Sequence, residues 1–183
     1  MPIGMQMSEK AKKVLKWRET LSTMDDSHFL DLMRVYLGEV KTPYNKDKLI
    51  EQLSSIFRKE QNIEVIKSYL SKTDIKILSA IYFIKDATLQ KLEEFFKDEF
   101  TLSEIYTLLV NLKDRLLVYS VQEKENQQNI LLLNPIIEEK ISQELSIGCL
   151  FTNTEFIQKN YDSAQILNPL ILSATISYIY ENP

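Results

Sequence analysis

Apolar residues recur along most of this chain at steps of three and four, the spacing of a single helix face. Over 9–21, Ala11, Val14, Leu15, Trp17 and Leu21 make one such stripe and predict a first helix. Asp25 or Asp26 is placed to cap a second over 27–37, with Phe29, Leu30, Leu32, Met33 and Tyr36 inward and Gly38 as its C-terminal stop. Pro43 breaks the pattern within 39–44. Asn45 then heads a helix to about Lys59, with Leu49, Ile50, Leu53, Ile56 and Phe57 inward. Asn62 is expected to cap a short fourth helix carrying Ile63, Val65, Ile66, Tyr69 and Leu70.

The middle of the chain is more sharply marked. Ser71 with Asp74 three residues on has the capping-box form and predicts a helix over 72–83. Leu89, Leu92, Phe95 and Phe96 predict another over 88–96. Thr101 with Glu104 is a second capping box, opening a helix over 102–116. The period then shortens. Residues 117–121 and 130–133 read as two strands around a polar tip, 122–129. Asn134 and Pro135 have the cap-then-proline form of a helix start, here over 136–145.

The last stretch is less regular. Residues 146–151 are open between strand and loop. Asn153 or Thr154 is placed to cap a short helix near 155–160, and Asn168-Pro169 opens an apolar helix to Tyr180. That apolar ending gives the expectation that the chain is the front of a longer protein. The expected organisation is mainly α: an N-terminal helical subdomain over 1–70, a three-helix-plus-hairpin domain over 71–145, and a C-terminal segment over 146–183.

Composition narrows the function classes. With three glycines, one His and one Cys in 183 residues, no phosphate-cradling loop, standard zinc site or internal disulfide can be assembled. No metal or other cofactor is expected. The N-terminus lacks a secretory pattern, and the most apolar stretch, 166–180, is too short and too interrupted to span a bilayer. A cytoplasmic protein with no membrane association is expected. His28 reads as an exposed or capping residue, and Cys149 as a buried small hydrophobe. The acidic neighbours Glu93-Glu94, Asp98-Glu99 and Glu138-Glu139 diverge by about 100° on a helix and read as solvated faces, not as acid–base pairs. No enzyme and no small-molecule substrate is expected.

The segment TLSEIYTLLVNLKDRLLVYS, 101–120, resembles the recognition helix and first wing strand of bacterial winged-helix proteins. Ile105, Leu109, Leu112, Leu117 and Val118 stand at the core positions of that pattern. The family usually places glycine just before the final Leu-Val; here Leu116 stands there. The whole arrangement also resembles helicase-associated helical and winged-helix regions of large bacterial proteins. Residues 32–53 faintly resemble a SAP-like DNA-binding hairpin. The resemblance implies a winged helix-turn-helix whose third helix turns its outer face to DNA.

The residues argue against that use. The outer face would hold Leu102, Ser103, Glu104, Tyr106, Thr107, Val110 and Asn111, with no cation among them, and the wing tip offers Glu123, Lys124 and Glu125. Net charge is +2 over 1–71, −4 over 72–145 and −2 over 146–183, so the implied DNA-reading block repels phosphate. Leu102, Tyr106 and Val110 fall at i, i+4 and i+8, one stripe. Either the rest of the chain covers it or it docks a protein partner or a second copy of the chain. The best nucleic-acid candidates lie elsewhere: Lys10, Lys12, Lys13, Lys16 and Arg18 around Trp17, extended by Lys46 and Lys48 beside Tyr44. The expected function is a non-catalytic interaction module in a DNA-linked setting that docks protein. The alternative is direct, non-specific binding of duplex DNA through the basic helix.

Overall fold

The computed structural model describes residues 7–123 and 127–150. The chain divides into two units, Met1–Leu150 and Phe151–Pro183, and every described residue belongs to the first. The helices expected near 155–160 and over 169–180, and Lys124 and Glu125 of the hairpin tip, lie outside the described residues.

The unit is mainly helical with one small antiparallel sheet. Its order is α1 (Glu9–Ser22), α2 (Asp26–Leu37), α3 (Lys46–Arg58), α4 (Glu60–Ser68), α5 (Lys72–Phe83), α6 (Leu89–Phe96), α7 (Leu102–Asp114), β1 (Val118–Gln122), β2 (Asn129–Leu133) and α8 (Glu138–Ile141). Short 3-10 turns follow at Ser142–Glu144 and Ile147–Leu150.

The caps explain the boundaries. Asp25 accepts from the amides of Ser27 and His28, and Asn45 from that of Lys48. Both capping boxes form: Ser71 with Asp74, and Thr101 with Glu104. Each satisfies amides that the first helical turn leaves without a partner. Gly38 ends α2 with φ +77°, a value costly for a residue with a Cβ.

One apolar core runs through the unit. Trp17, Phe29, Met33, Leu53 and Phe57 fill it on the N-terminal side; Ile77, Leu78, Leu92, Ile105, Leu112 and Leu117 on the other. Trp17 meets the Phe57 ring edge-on at 6.4 Å, and α1 packs against both α3 and β1. The lone tryptophan is therefore a core residue, and truncating it to alanine should cost ~3–5 kcal/mol.

Several expectations are corrected. Asn62 does not cap α4; it lies inside it and donates its side-chain amide to the carbonyl of Ile56, leaving Lys59 at the cap without a side-chain bond. Leu15 of the first stripe, and Val65 and Tyr69 of the fourth apolar set, are exposed. The helix expected from 136 begins only at Glu138 and lasts one turn. Asn134 still acts at its start, its carbonyl accepting from the amide of Glu138 at 2.9 Å. It is fully buried, its amide donates to the carbonyl of Leu116 at 2.9 Å, and its Oδ1 accepts from the amide of Ile136 at 3.0 Å. A side chain engaged two residues ahead holds 135–137 in a turn. Residues 147–150 form a 3-10 turn, and Cys149 is half-buried, its Sγ 3.2 Å from Ser79 Oγ, rather than enclosed among apolar neighbours.

Leu116 holds the position where the winged-helix pattern has glycine. Its φ is +52°, in the left-handed region, and its side chain is buried. The backbone turn between α7 and β1 thus forms with a buried leucine in the left-handed region.

Candidate functional site

The two candidate surfaces sit on α7 and α1. On α7 the inward face is Ile105, Leu109 and Leu112, all buried. The i, i+4, i+8 stripe is on the opposite side: Leu102 is 46%, Tyr106 60% and Val110 39% exposed. No other described element covers it. Along its flank a shallow groove of about 340 Å³ is lined by Thr73, Phe100, Ser103, Glu104, Thr107 and Leu108. Glu104 stands at the head of the face. Its carboxylate accepts from the amide and hydroxyl of Thr101, both at 2.8 Å. Those bonds, the backbone one first, hold its pKa below the usual value, so the face opens on a fixed negative charge.

The two cations at the C-terminal end of α7 are committed elsewhere. Lys113 turns toward the hairpin, where its ammonium donates to Ser120 Oγ at 3.3 Å and burial pushes its pKa down. Arg115 is drawn to Asp74 at 3.0 Å and to the carbonyl of Tyr69 at 3.2 Å.

The basic residues of α1 do not form an open cationic face either. Lys10 pairs with Glu139 at 2.7 Å and Lys13 with Glu138 at 2.8 Å. Glu139 is solvent-exposed as expected, and Glu138 is partly covered; both reach the cations of α1. Lys12 pairs with Glu9 at 2.6 Å, and Arg18 with Glu51. Each cation holds its partner's carboxyl below the usual range: Lys12 at Glu9, Arg18 at Glu51 and Lys10 at Glu139. Lys46 is tied down by Asp26 at 2.8 Å and the carbonyl of Met24 at 2.7 Å, and lies 5.1 Å over the Phe29 ring. Of the basic candidates, Lys16 and Lys48 form no ion pair among the described residues. Opposite charges at these distances cancel most of the field a polyanion would meet.

His28 is exposed, and its backbone amide, not its imidazole, is engaged, on Asp25. Among the described residues no group of His, Cys, Asp and Glu is arranged to hold a metal ion, and no helix is long and apolar enough to cross a membrane. Sequence reasoning missed Arg115 as an organising residue, because its partners lie up to 79 positions away.

A family model described as an N-terminal domain matches residues 5–58, a stretch that ends with the last residue of α3. No curated protein matches the chain, and no solved structure matches it.

Proposed function

We infer that this protein is a non-catalytic interaction module whose α7 docks a protein partner, working in a DNA-linked setting. The observation that carries the reading is the exposed Leu102–Tyr106–Val110 stripe on a helix whose neighbouring cations are engaged elsewhere. A winged-helix arrangement of residues 71–145 accounts for the order α5, α6, α7, β1, β2, with β1 and β2 as the wing. The bond from the amide of Leu131 to the carbonyl of Ala87 supports it, because it brings the α5–α6 connection to the sheet edge. In that arrangement α7 is the helix that would meet DNA, and an apolar face headed by Glu104 suits a protein surface instead.

The partner that fits is an amphipathic helix. Its apolar residues at i, i+3, i+4 and i+7 would lie along the stripe, and flanking Lys or Arg would answer Glu104 and the −4 charge of residues 72–145. The test is calorimetric titration with a model helical peptide of leucine stripe and lysine flanks, against wild type and Tyr106→Glu. Wild type should bind and the variant should not. Equal binding by both, or retention of duplex DNA by wild type with a steep salt slope, would overturn the reading.

A further inference from the structure

A different surface, the outer edge of β2, is only partly paired among the described residues. The register pairs Val118 with Leu133, Tyr119 with Leu132 and Val121 with Ile130. The amide of Asn134 donates to the carbonyl of Leu117, and that of Glu123 to the carbonyl of Gln128. These two bonds fix the phase of the ladder. Tyr119–Leu132 and Val121–Ile130 are its hydrogen-bonded pairs, so the amides and carbonyls of Leu131 and Leu133 point away from β1.

Only one of those amides is answered. Leu131 donates to the carbonyl of Ala87 at 2.7 Å. The segment that supplies this bond goes no further along the edge, because Asp86 adopts φ +49° and turns the chain aside. The amide of Leu133 therefore meets no partner among the described residues, although Leu133 is only 7% exposed. Beside it opens a cleft of about 400 Å³, with Ile81, Tyr82 and Ile84 on its wall and the Lys13–Glu138 ion pair at its rim. That volume lies in the range of ligand-holding clefts, ~300–1,000 Å³.

A strand-edge amide with no protein partner is free to donate a hydrogen bond to an incoming chain. A helix cannot supply that bond, because its own carbonyls are engaged internally. An extended chain offers a carbonyl and an amide at the matching spacing and alternates its side chains, so that one would fall on Ile81, Tyr82 and Ile84. The charged residues lining the cleft, Lys13, Lys85, Asp86 and Glu138, sum to zero, which disfavours a charged side chain there.

The geometry points to a strand-addition site at Leu133: an extended apolar segment of a partner protein pairs with the β2 edge beyond Ala87. The test is titration of the 15N-labelled full chain with the peptide acetyl-Thr-Val-Ile-Val-Thr-amide, and with the same peptide N-methylated at its three central residues. The unmodified peptide should shift the Leu133 amide resonance and slow its hydrogen exchange roughly tenfold. The N-methylated peptide should do neither, and Tyr82→Ala, on an exposed side chain, should weaken binding of the unmodified one. Equal effects of the two peptides would overturn the proposal in favour of plain apolar contact. A Leu133 amide unmoved at saturating peptide would overturn it outright.

Discussion

Tyr36 on α2 donates its hydroxyl proton to the backbone carbonyl of Arg115 at the end of α7, at 2.8 Å. The same arginine reaches with its guanidinium to Asp74 at the start of α5 and to the carbonyl of Tyr69 after α4. One residue thus joins the ends of four helices. Asp74 is the pivot, since the oxygen that receives Arg115 also accepts from the amide of Ser71 in the α5 capping box.

The two roles of Asp74 separate by substitution. Asp74→Ala removes the carboxylate half of the capping box and the partner of Arg115, and should destabilise the protein by ~2–4 kcal/mol. Asp74→Asn retains an acceptor for the cap and should cost less. A double-mutant cycle of Asp74→Ala with Arg115→Met, followed by urea unfolding, should give a coupling energy of ~0.5–3 kcal/mol. Strict additivity would mean that the ion pair contributes nothing.

Leu116 gives an unusual ordering of substitutions. Leu116→Ala loses the buried side chain, ~3 kcal/mol, and keeps the left-handed backbone strain. Leu116→Gly loses the same side chain and relieves ~1–2 kcal/mol of strain. At an ordinary helical site glycine is worse than alanine by ~1 kcal/mol. Here the glycine variant should be at least as stable as the alanine variant, and both less stable than wild type. Midpoints of chemical unfolding decide this; a glycine variant clearly below the alanine one would show that the strain is not felt.

Two tyrosines, Tyr36 half-buried and Tyr119 buried, give opposite outcomes. The hydroxyl of Tyr36 is bonded, whereas that of Tyr119 is buried and has no hydrogen-bond partner among the described residues. Tyr36→Phe should cost ~1 kcal/mol, and Tyr119→Phe should be neutral or stabilising. Burial pushes both hydroxyls up to about 12. The folded-state value lies above the unfolded ~10, so the folded protein favours the neutral phenol. This stability is fully present below pH ~10 and is lost as pH rises from there toward 12. Unfolding followed across that window should show a shallower loss in the double phenylalanine variant than in wild type.

Local signals in the sequence were enough to place the caps. Asp25, Asn45, Ser71 with Asp74, and Thr101 with Glu104 all act within three residues of themselves, so spacing alone reveals them. The stripe on α7 was legible for the same reason, since i, i+4, i+8 is a property of one helix. Whether it is covered depended on where the other described helices went. The clasp of Lys10 and Lys13 by Glu139 and Glu138 spans more than 120 positions, and no local pattern encodes it. Asn134 caps locally as its spacing predicts, with Oδ1 on the amide of Ile136, but its second bond, from Nδ2 to the carbonyl of Leu116 18 residues back, has no local signal.

That clasp yields the sharpest test of the nucleic-acid alternative. If Glu138 and Glu139 neutralise the basic end of α1, then Glu138→Gln with Glu139→Gln frees Lys10 and Lys13 without touching any cation. Wild type should elute from heparin at low salt, because its net charge is −4 and most of its α1 cations are paired. The double variant should be retained more strongly, with a steeper dependence of retention on salt. A Lys10→Gln, Lys13→Gln pair should then return it to the wild-type position. Strong retention of wild type that the glutamine pair at 138 and 139 leaves unchanged would mean that the cations of α1 meet polyanions despite their partners, and the choice between the two functions would turn toward DNA.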